Sequence, residues 1–537
     1  MVFSSIREHF RKFRKMSAST NPVTSESVVR LMKNAATYPD PTTSVQVSET
    51  HISWIFLTDR YAYKLKKPVQ FEFLNFSTPE LRHHACLEEL RLNRRLAPDV
   101  YIAVLPITGD SSGRLSLNGS GQEVDWVVQM RRLPAEKSLD VVLREKRLRP
   151  EDGERIAKHL TSFYTGLPRK AVRSDDYRQA LDHHIRANGK ALLDSMTLEQ
   201  SRLRRIQSAQ LRYLHVQADS ISDRVAAGRI VDGHGDLRPE HIYLDDRPLV
   251  IDCIEFSDAL RTVDIADELS FLSMECQRLG DGGVGAAVIA EYQKVSGDKV
   301  PESLLDFYRG YRASVRAKVG LLRKQQLGNA LATLSADPVR QYIDLADGYV
   351  AKLGPPMLLI VGGLMGTGKS TLATKLAEIF AVELFSTDHI RRAKLGSSET
   401  PAGYGEGHYQ PDLRTQVYDE LLRQAGALLK DRQSVVLDGT FLTDGLRQRA
   451  FNLGYENGAV TLHVECTCPR QIAYARIQQR MDLGQSESEA RTDLYDLQAI
   501  EREPPLADDP SMTLDTTESM SQQLQAVCAE LRHLLFD

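Results

Sequence analysis

At 537 residues the chain is too long for one hydrophobic core and calls for two or three domains. Its hydrophobic share of 42% beside a charged share of 26% is that of a soluble globular protein rather than a bilayer-embedded or disordered one. Lys plus Arg total 68 against 72 Asp plus Glu, a formal charge of −4 that argues against a broad nucleic-acid surface while leaving room for a local basic cleft.

The six cysteines form no C-x-x-C pair and read as reduced thiols of a cytoplasmic protein. Cys466 and Cys468 share one face of a predicted strand. No apolar run reaches the ~20 residues of a bilayer span, so no membrane partner is expected. Residues 1–16 gather Arg7, Arg11, Lys12, Arg14 and Lys15 against the single acid Glu8. With the polar, Ser/Thr/Pro-rich stretch that follows, in which one short helical stretch is expected near Ser27–Asn34, residues 1–45 read as a flexible tail; a targeting or membrane-surface helix is the alternative for 1–16.

A first domain is expected over 46–352. It opens with alternating strands, Ile52–Leu57 and Tyr61–Leu65, followed by a helix over about Thr78–Leu96 and a strand over Val124–Met130. After Pro134 the pattern is mostly helical, so a small β-rich lobe (46–133) precedes a helical lobe (134–352) in an α+β arrangement. In the helix, Leu81, Ala85, Leu92 and Leu96 trace an apolar stripe that also contains Glu89. A carboxylate on such a stripe needs a partner. Lys64 is the expected one, with Lys66 as a rival on the same strand face and Glu88 as the alternative acid. Further on stands His234-Gly235-Asp236-Leu237-Arg238-Pro239-Glu240-His241, and then Ile251-Asp252. The phosphoryl-transfer template places a base Asp first, an Asn five residues on and a metal-binding Asp later. Asp236 and Asp252 match; His241 stands where the Asn belongs.

At Lys352-Leu353-Gly354-Pro355-Pro356 a helix ends and an extended segment begins, which marks a second domain over 353–537. Strands are expected at Met357–Gly362, Val382–Ser386, Ser434–Leu437, Val460–Cys466 and Met512–Asp515, with helices between them. That alternation is an α/β fold around a parallel sheet. The first strand runs into Gly363-Leu364-Met365-Gly366-Thr367-Gly368-Lys369-Ser370, and Thr371 continues into a helix. This is a P-loop in its required strand-to-helix context. Its backbone N–H groups cradle the phosphates of ATP, Lys369 reaches the terminal ones, and Ser370 is suited to Mg²⁺. Asp388 and Arg391 follow the second strand, where ligands of open α/β sheets bind, as candidate base and phosphate or substrate contact. Helix capping is the plainer role for Asp388. Asp438, ending the third strand, is the candidate second metal ligand. Arg476 and Arg480, one helical turn apart ahead of a polar segment, are candidates for a lid.

These motifs resemble two known groups. Residues 356–517 are similar to P-loop small-molecule kinases of the gluconate-kinase, chloramphenicol-phosphotransferase and zeta-toxin kind. Ser386, Asp388 and Arg391 also look like the 5′-hydroxyl site of polynucleotide kinases. His234–His241 with Asp252, Lys64 and Glu89 resembles aminoglycoside phosphotransferases, which have a protein-kinase-like bilobal fold. That resemblance implies that Met130 lies in a hinge touching adenine, and that Asp252 and His241 stand at the metal. No glycine-rich loop precedes Lys64. The whole layout resembles a bacterial family that fuses these two domains, and membership implies an ATP- and Mg²⁺-dependent kinase acting on a small-molecule hydroxyl. The alternatives are a regulatory first domain controlling the second, and a nucleic-acid 5′-kinase. Arg261, Asp264 and Asp267 are expected to brace the first catalytic loop. Acceptor pockets are expected from residues 150–225 and 393–412.

Overall fold

The computed structural model describes residues 24–71, 74–327, 338–395, 411–482 and 492–536. The basic stretch at 1–16, the polar segment 483–491 and most of the segment 393–412, expected to line an acceptor pocket, lie outside them. The chain divides into two compact units, Met1–Gly166 with Asp232–Val263, and Leu167–Val231 with Asp264–Asp537. The boundary expected at Gly354 therefore falls inside the second unit.

In the first unit, the described residues form a six-stranded antiparallel sheet of β1 (Gln46–Glu49), β2 (Ser53–Leu57), β3 (Tyr61–Lys66), β4 (Tyr101–Gly109), β5 (Leu115–Leu117) and β6 (Gln122–Arg131), in the order β1-β2-β3-β6-β4-β5. Side chains alternate along β3. Tyr63 and Leu65 face one way, into a cluster with Val28, Met32 and Tyr38. Val28 and Met32 come from α1 (Ser25–Lys33), which Thr24 caps by accepting from Ser27 N–H. The short helical stretch expected near Ser27–Asn34 is α1, and it packs on the sheet rather than lying in a flexible tail, because every third or fourth of its positions is apolar.

Lys64 and Lys66 occupy the other face of β3 and meet α2 (Pro79–Asn93), which starts at a Thr78 cap with Pro79 in its first turn. The buried stripe of α2 is Arg82, Ala85, Cys86, Glu89, Leu92 and Asn93, while Leu81 is 38% exposed. Ala85, Glu89, Leu92 and Leu96 of the expected stripe are buried, and Leu81 is its one exposed member. Arg82 replaces Leu81 because it can bury its guanidinium against Asp125 at 2.8 Å.

Also in the first unit, β7 (Ile242–Tyr243) pairs antiparallel with β8 (Leu249–Val250). In the second unit, strands β9 (Met357–Gly362), β10 (Glu383–Ser386), β11 (Val435–Asp438), β12 (Val460–Thr467) and β13 (Ser511–Asp515) form a parallel sheet in the order β10-β11-β9-β12-β13. The strand before the P-loop is central and fully buried. Each of these strands lies within a residue or two of its expected position. The same unit contains α3 (Ser174–Ser195), α4 (Gln200–Val216), α5 (Ile265–Arg278), α6 (Glu302–Leu327) and α7 (Pro338–Val350). Val216 of α4 belongs to one core cluster with Met357, Leu359 and Val361. No helix among the described residues is long and apolar enough to cross a membrane.

Candidate phosphate-binding sites

In the second unit, β9 delivers the chain to Gly363 at φ 129°, and the loop turns again at Gly366, φ 79°. Only glycine adopts such angles freely. A Cβ at Gly363 would stand 2.4 Å from Cys466 O, and one at Gly366 would stand 2.7 Å from Ala473 O. Both glycines are therefore required by space as well as by angle. Gly368 precedes α8 (Lys369–Phe380), so Lys369, Ser370 and Thr371 form its first turn, where N–H groups lack intrahelical acceptors. Thr367 is buried, and its hydroxyl donates to Leu364 O at 2.8 Å.

Two further residues hold this loop, and the motif reading missed both. Gln498, from the helix Thr492–Glu501, accepts from Met365 N–H at 2.9 Å. Thr516, just past β13, donates to Thr367 O at 2.5 Å. Thr516 lies at a strand's carboxyl end, which is the signal that could have found it. Arg476 donates to Thr516 Oγ1 and Thr516 O, both at 2.9 Å, and so stands beside Gly368. Arg480, one turn on, has no ion pair among the described residues.

Asp438, at the end of β11, is 5% exposed. Ser386 Oγ donates to its Oδ2 at 3.3 Å, while Oδ1 has no hydrogen-bond partner among the described residues. Burial pushes this carboxyl up from its ordinary value, partly offset by the nearby Lys369, Ser370 and Ser386. An orphaned buried carboxylate oxygen beside a P-loop serine fits a magnesium ion, which takes oxygen ligands. Asp388 lies in the first turn of the helix Thr387–Leu395 and pairs with Arg391 at 2.5 Å. Its N–H is taken by Ser386 Oγ at 3.3 Å, so Ser386 makes the capping contact and the Asp388 carboxylate is not the cap.

In the first unit, Lys64 Nζ lies 2.9 Å from Glu89 Oε1 and 2.6 Å from Asp252 Oδ1. Lys66, the rival, also pairs with Glu89, at 2.7 Å, and with Glu255. Both lysines are thus engaged, and Glu255 is the member that the spacing did not single out. Glu88 is outside this network and pairs with Arg91 at 2.6 Å. Burial alone disfavours charge on Lys64, but Asp252, Glu89 and Glu255 raise its pKa well above the ordinary value. Burial likewise pushes Asp252 up, yet Lys64, His241 and Arg238 hold it well below the usual carboxylate range. Burial raises Glu255 even against Lys66. Asp252 sits at φ 64°, a left-handed angle that Asp tolerates better than most residues, and its N–H donates to Tyr101 Oη at 3.1 Å. Met130 is buried in a cluster with Ala62, Tyr243 and Ile251.

Asp236, 28% exposed at its side chain, pairs with Arg238 at 2.9 Å. The partners of His241 assign its tautomer. Nδ1 lies 2.9 Å from Asp236 O and must donate to it, whereas Nε2 accepts from Arg238 Nη2 at 3.1 Å. The imidazole lone pair is therefore engaged by Arg238. Arg261 braces the loop as expected, donating to Asp232 Oδ1 at 2.7 Å and Ile254 O at 2.8 Å. Asp264 and Asp267 do not share that role: they pair with Arg224 and Arg312, each at 2.6 Å, in the second unit.

Residues 358–505 match the AAA domain family. The "Uncharacterized protein Rv2004c" of Mycobacterium tuberculosis is 33% identical over 451 residues, covering 81% of this chain and 86% of that one. Among solved structures, a choline/ethanolamine kinase family protein from Mesorhizobium loti is similar over 61% of this chain and 93% of its own, at 15% identity and a TM-score of 0.36. A gluconokinase from Sinorhizobium meliloti is similar over 34% and 94%, at 18% identity and a TM-score of 0.25.

Proposed function

The chain belongs to the family of the Mycobacterium tuberculosis protein Rv2004c, and from that premise we propose that it is an ATP-dependent phosphotransferase whose P-loop unit phosphorylates a hydroxyl of a small molecule. The observation that carries this reading is the unpartnered Oδ1 of buried Asp438 beside the glycine loop that Lys369 and Ser370 close. Ser370 and Asp438 would hold Mg²⁺, which supplies charge neutralisation for the phosphates. The loop amides and Lys369 bind and orient the nucleotide's phosphates. The acceptor hydroxyl oxygen forms the new bond to the γ-phosphorus as the bond to the β–γ bridging oxygen breaks. ADP leaves with that electron pair, and the hydroxyl proton passes to a carboxylate, for which Asp388 is the candidate. Arg391, Arg476 and Arg480 are candidates for offsetting charge on the transferring group.

The first unit supports a parallel reading, with Lys64 for the nucleotide phosphates, Asp252 for a metal and Asp236 as base. A specific observation favours a second reading for that unit. Arg238 contacts His241 Nε2, and Lys64 already pairs with Asp252. That arrangement suits a nucleotide-sensing module that regulates the P-loop unit. Incubating the full chain with ATP and a panel of hydroxyl-bearing metabolites, alongside Asp236→Ala and Lys369→Ala variants, separates the readings. A bifunctional kinase loses a different product in each variant. A sensor-plus-kinase loses all product in Lys369→Ala and makes the same product at a changed rate in Asp236→Ala. Absence of any phosphorylated product or ATP consumption would refute both.

A further inference from the structure

Within the second unit, at the end of the sheet opposite the P-loop, lies a cavity of about 200 Å³ lined by Arg205, Ser208, Arg212, Asp347, Arg432 and Ser434. Its volume is more than ten times the ~10–15 Å³ that one water needs on this measure. Three guanidinium groups line it against one carboxylate. That carboxylate, Asp347, is not reserved for the cavity: it is shared between Arg205 at 2.6 Å and Arg202 at 3.0 Å.

Arg212 is 2% exposed and has no acidic partner. It donates to the carbonyls of Leu353 at 2.9 Å, Gly354 at 3.1 Å and Pro355, and its Nε has no partner among the described residues. A buried cation satisfied only by neutral oxygens carries an uncompensated charge, an arrangement proteins rarely keep without a counter-ion. Arg432 is held at φ 57°, and its guanidinium makes no hydrogen bond or ion pair among the described residues. Ser434 Oγ accepts from Met357 N–H at 2.9 Å, which leaves its own hydrogen free to donate.

We propose that this cavity is a binding site for a doubly charged oxyanion, a phosphate group either free or carried on a small phosphomonoester, held by Arg205, Arg212 and Arg432 with hydrogen bonds from Ser208 and Ser434. Guanidinium forks and hydroxyls are the donors that suit tetrahedral phosphate oxygens. The position gives the site a consequence. Pro356 leads directly into β9 and Ser434 into β11, the paired strands whose far ends carry the glycine loop and Asp438. An anion here pins the two strand entrances together and steadies the phosphate cradle from behind. The inference does not depend on the chain being a kinase.

The test uses the full-length Lys369→Ala variant, so that phosphate binding in the P-loop does not mask the cavity. Calorimetric titration with inorganic phosphate, with glycerol 3-phosphate and with chloride at matched ionic strength should show binding of one or both phosphates and none of chloride. Adding Arg432→Glu, an exposed position where folding is not at stake, should weaken phosphate binding about tenfold or more, the value of one charge-assisted contact. The two arms decide the source: preference for the monoester assigns an organic phosphate, equal or stronger binding of inorganic phosphate assigns the free ion. No phosphate binding in Lys369→Ala, or unchanged affinity on adding Arg432→Glu, would overturn the proposal.

Discussion

His241 Nε2 lies 3.5 Å from Asp252 Oδ2, where an asparagine oxygen would complete a metal site, and Arg238 donates to the same nitrogen. The imidazole thus fills the position without offering its lone pair. Replacing it by His241→Asn, in a Lys369→Ala background that leaves the first unit as the nucleotide site, restores an oxygen ligand suited to Mg²⁺. We predict that Mg²⁺-dependent binding of a fluorescent ATP analogue tightens by about fivefold or more. Equal affinity in the two proteins would mean that His241 does not limit the site.

Glu89 is fully buried between Lys64 and Lys66, at 2.9 and 2.7 Å. Glu89→Gln preserves shape and leaves two buried ammonium groups with less compensation. The expected cost is about 3 kcal/mol in urea unfolding, the scale for breaking a buried ion pair. Glu88→Gln, by contrast, touches only a largely exposed pair with Arg91 and should change the unfolding free energy by less than ~0.5 kcal/mol.

The glycine loop is a steric as well as a conformational requirement. Gly366→Ala places a methyl 2.7 Å from Ala473 O at φ 79°. Nucleotide binding by the second unit should fall at least about tenfold, with far-ultraviolet circular dichroism unchanged, because the strain is confined to the loop. Retained affinity would show that the loop has another geometry when occupied.

Much of this was legible locally. Gly363–Ser370 announces itself because strand, loop and helix are contiguous, and Glu89 stands out as the one acid on an apolar helix face. What escaped the pattern depends on contacts between distant residues. Gln498 reaches Met365 across 133 positions, Thr516 reaches Thr367 across 149, and Arg212 reaches Pro355 across 143. Periodicity carries no record of such pairings. Near Gly354 the composition changes as read, while the packing of Val216 into the core of the sheet that follows is another contact between distant residues. His241 was read by position alone, and only its hydrogen-bond partners reveal the tautomer.

Among the described residues, three histidines are desolvated with little compensation, His463 fully buried and His159 and His184 partly so. Burial pushes His159, His184 and His463 down to about 4. Between pH 6.5 and 4 the unfolded chain takes up protons that the folded protein refuses, so stability is full above about pH 6.5 and falls as pH drops toward 4. Urea midpoints should decline from pH 7 to pH 5. His463→Asn should flatten that decline, since the Nε2 of His463 has no partner to lose. A midpoint independent of pH across this range would contradict the burial argument.

The account rests most directly on the phosphate cradle, and a calorimetric titration of the full chain with AMP-PNP and Mg²⁺ tests it. Lys369→Ala should abolish one class of sites, and Asp438→Asn should remove the Mg²⁺ dependence of that same class while leaving the protein folded. Identical isotherms for the unaltered chain and Lys369→Ala would contradict the central claim.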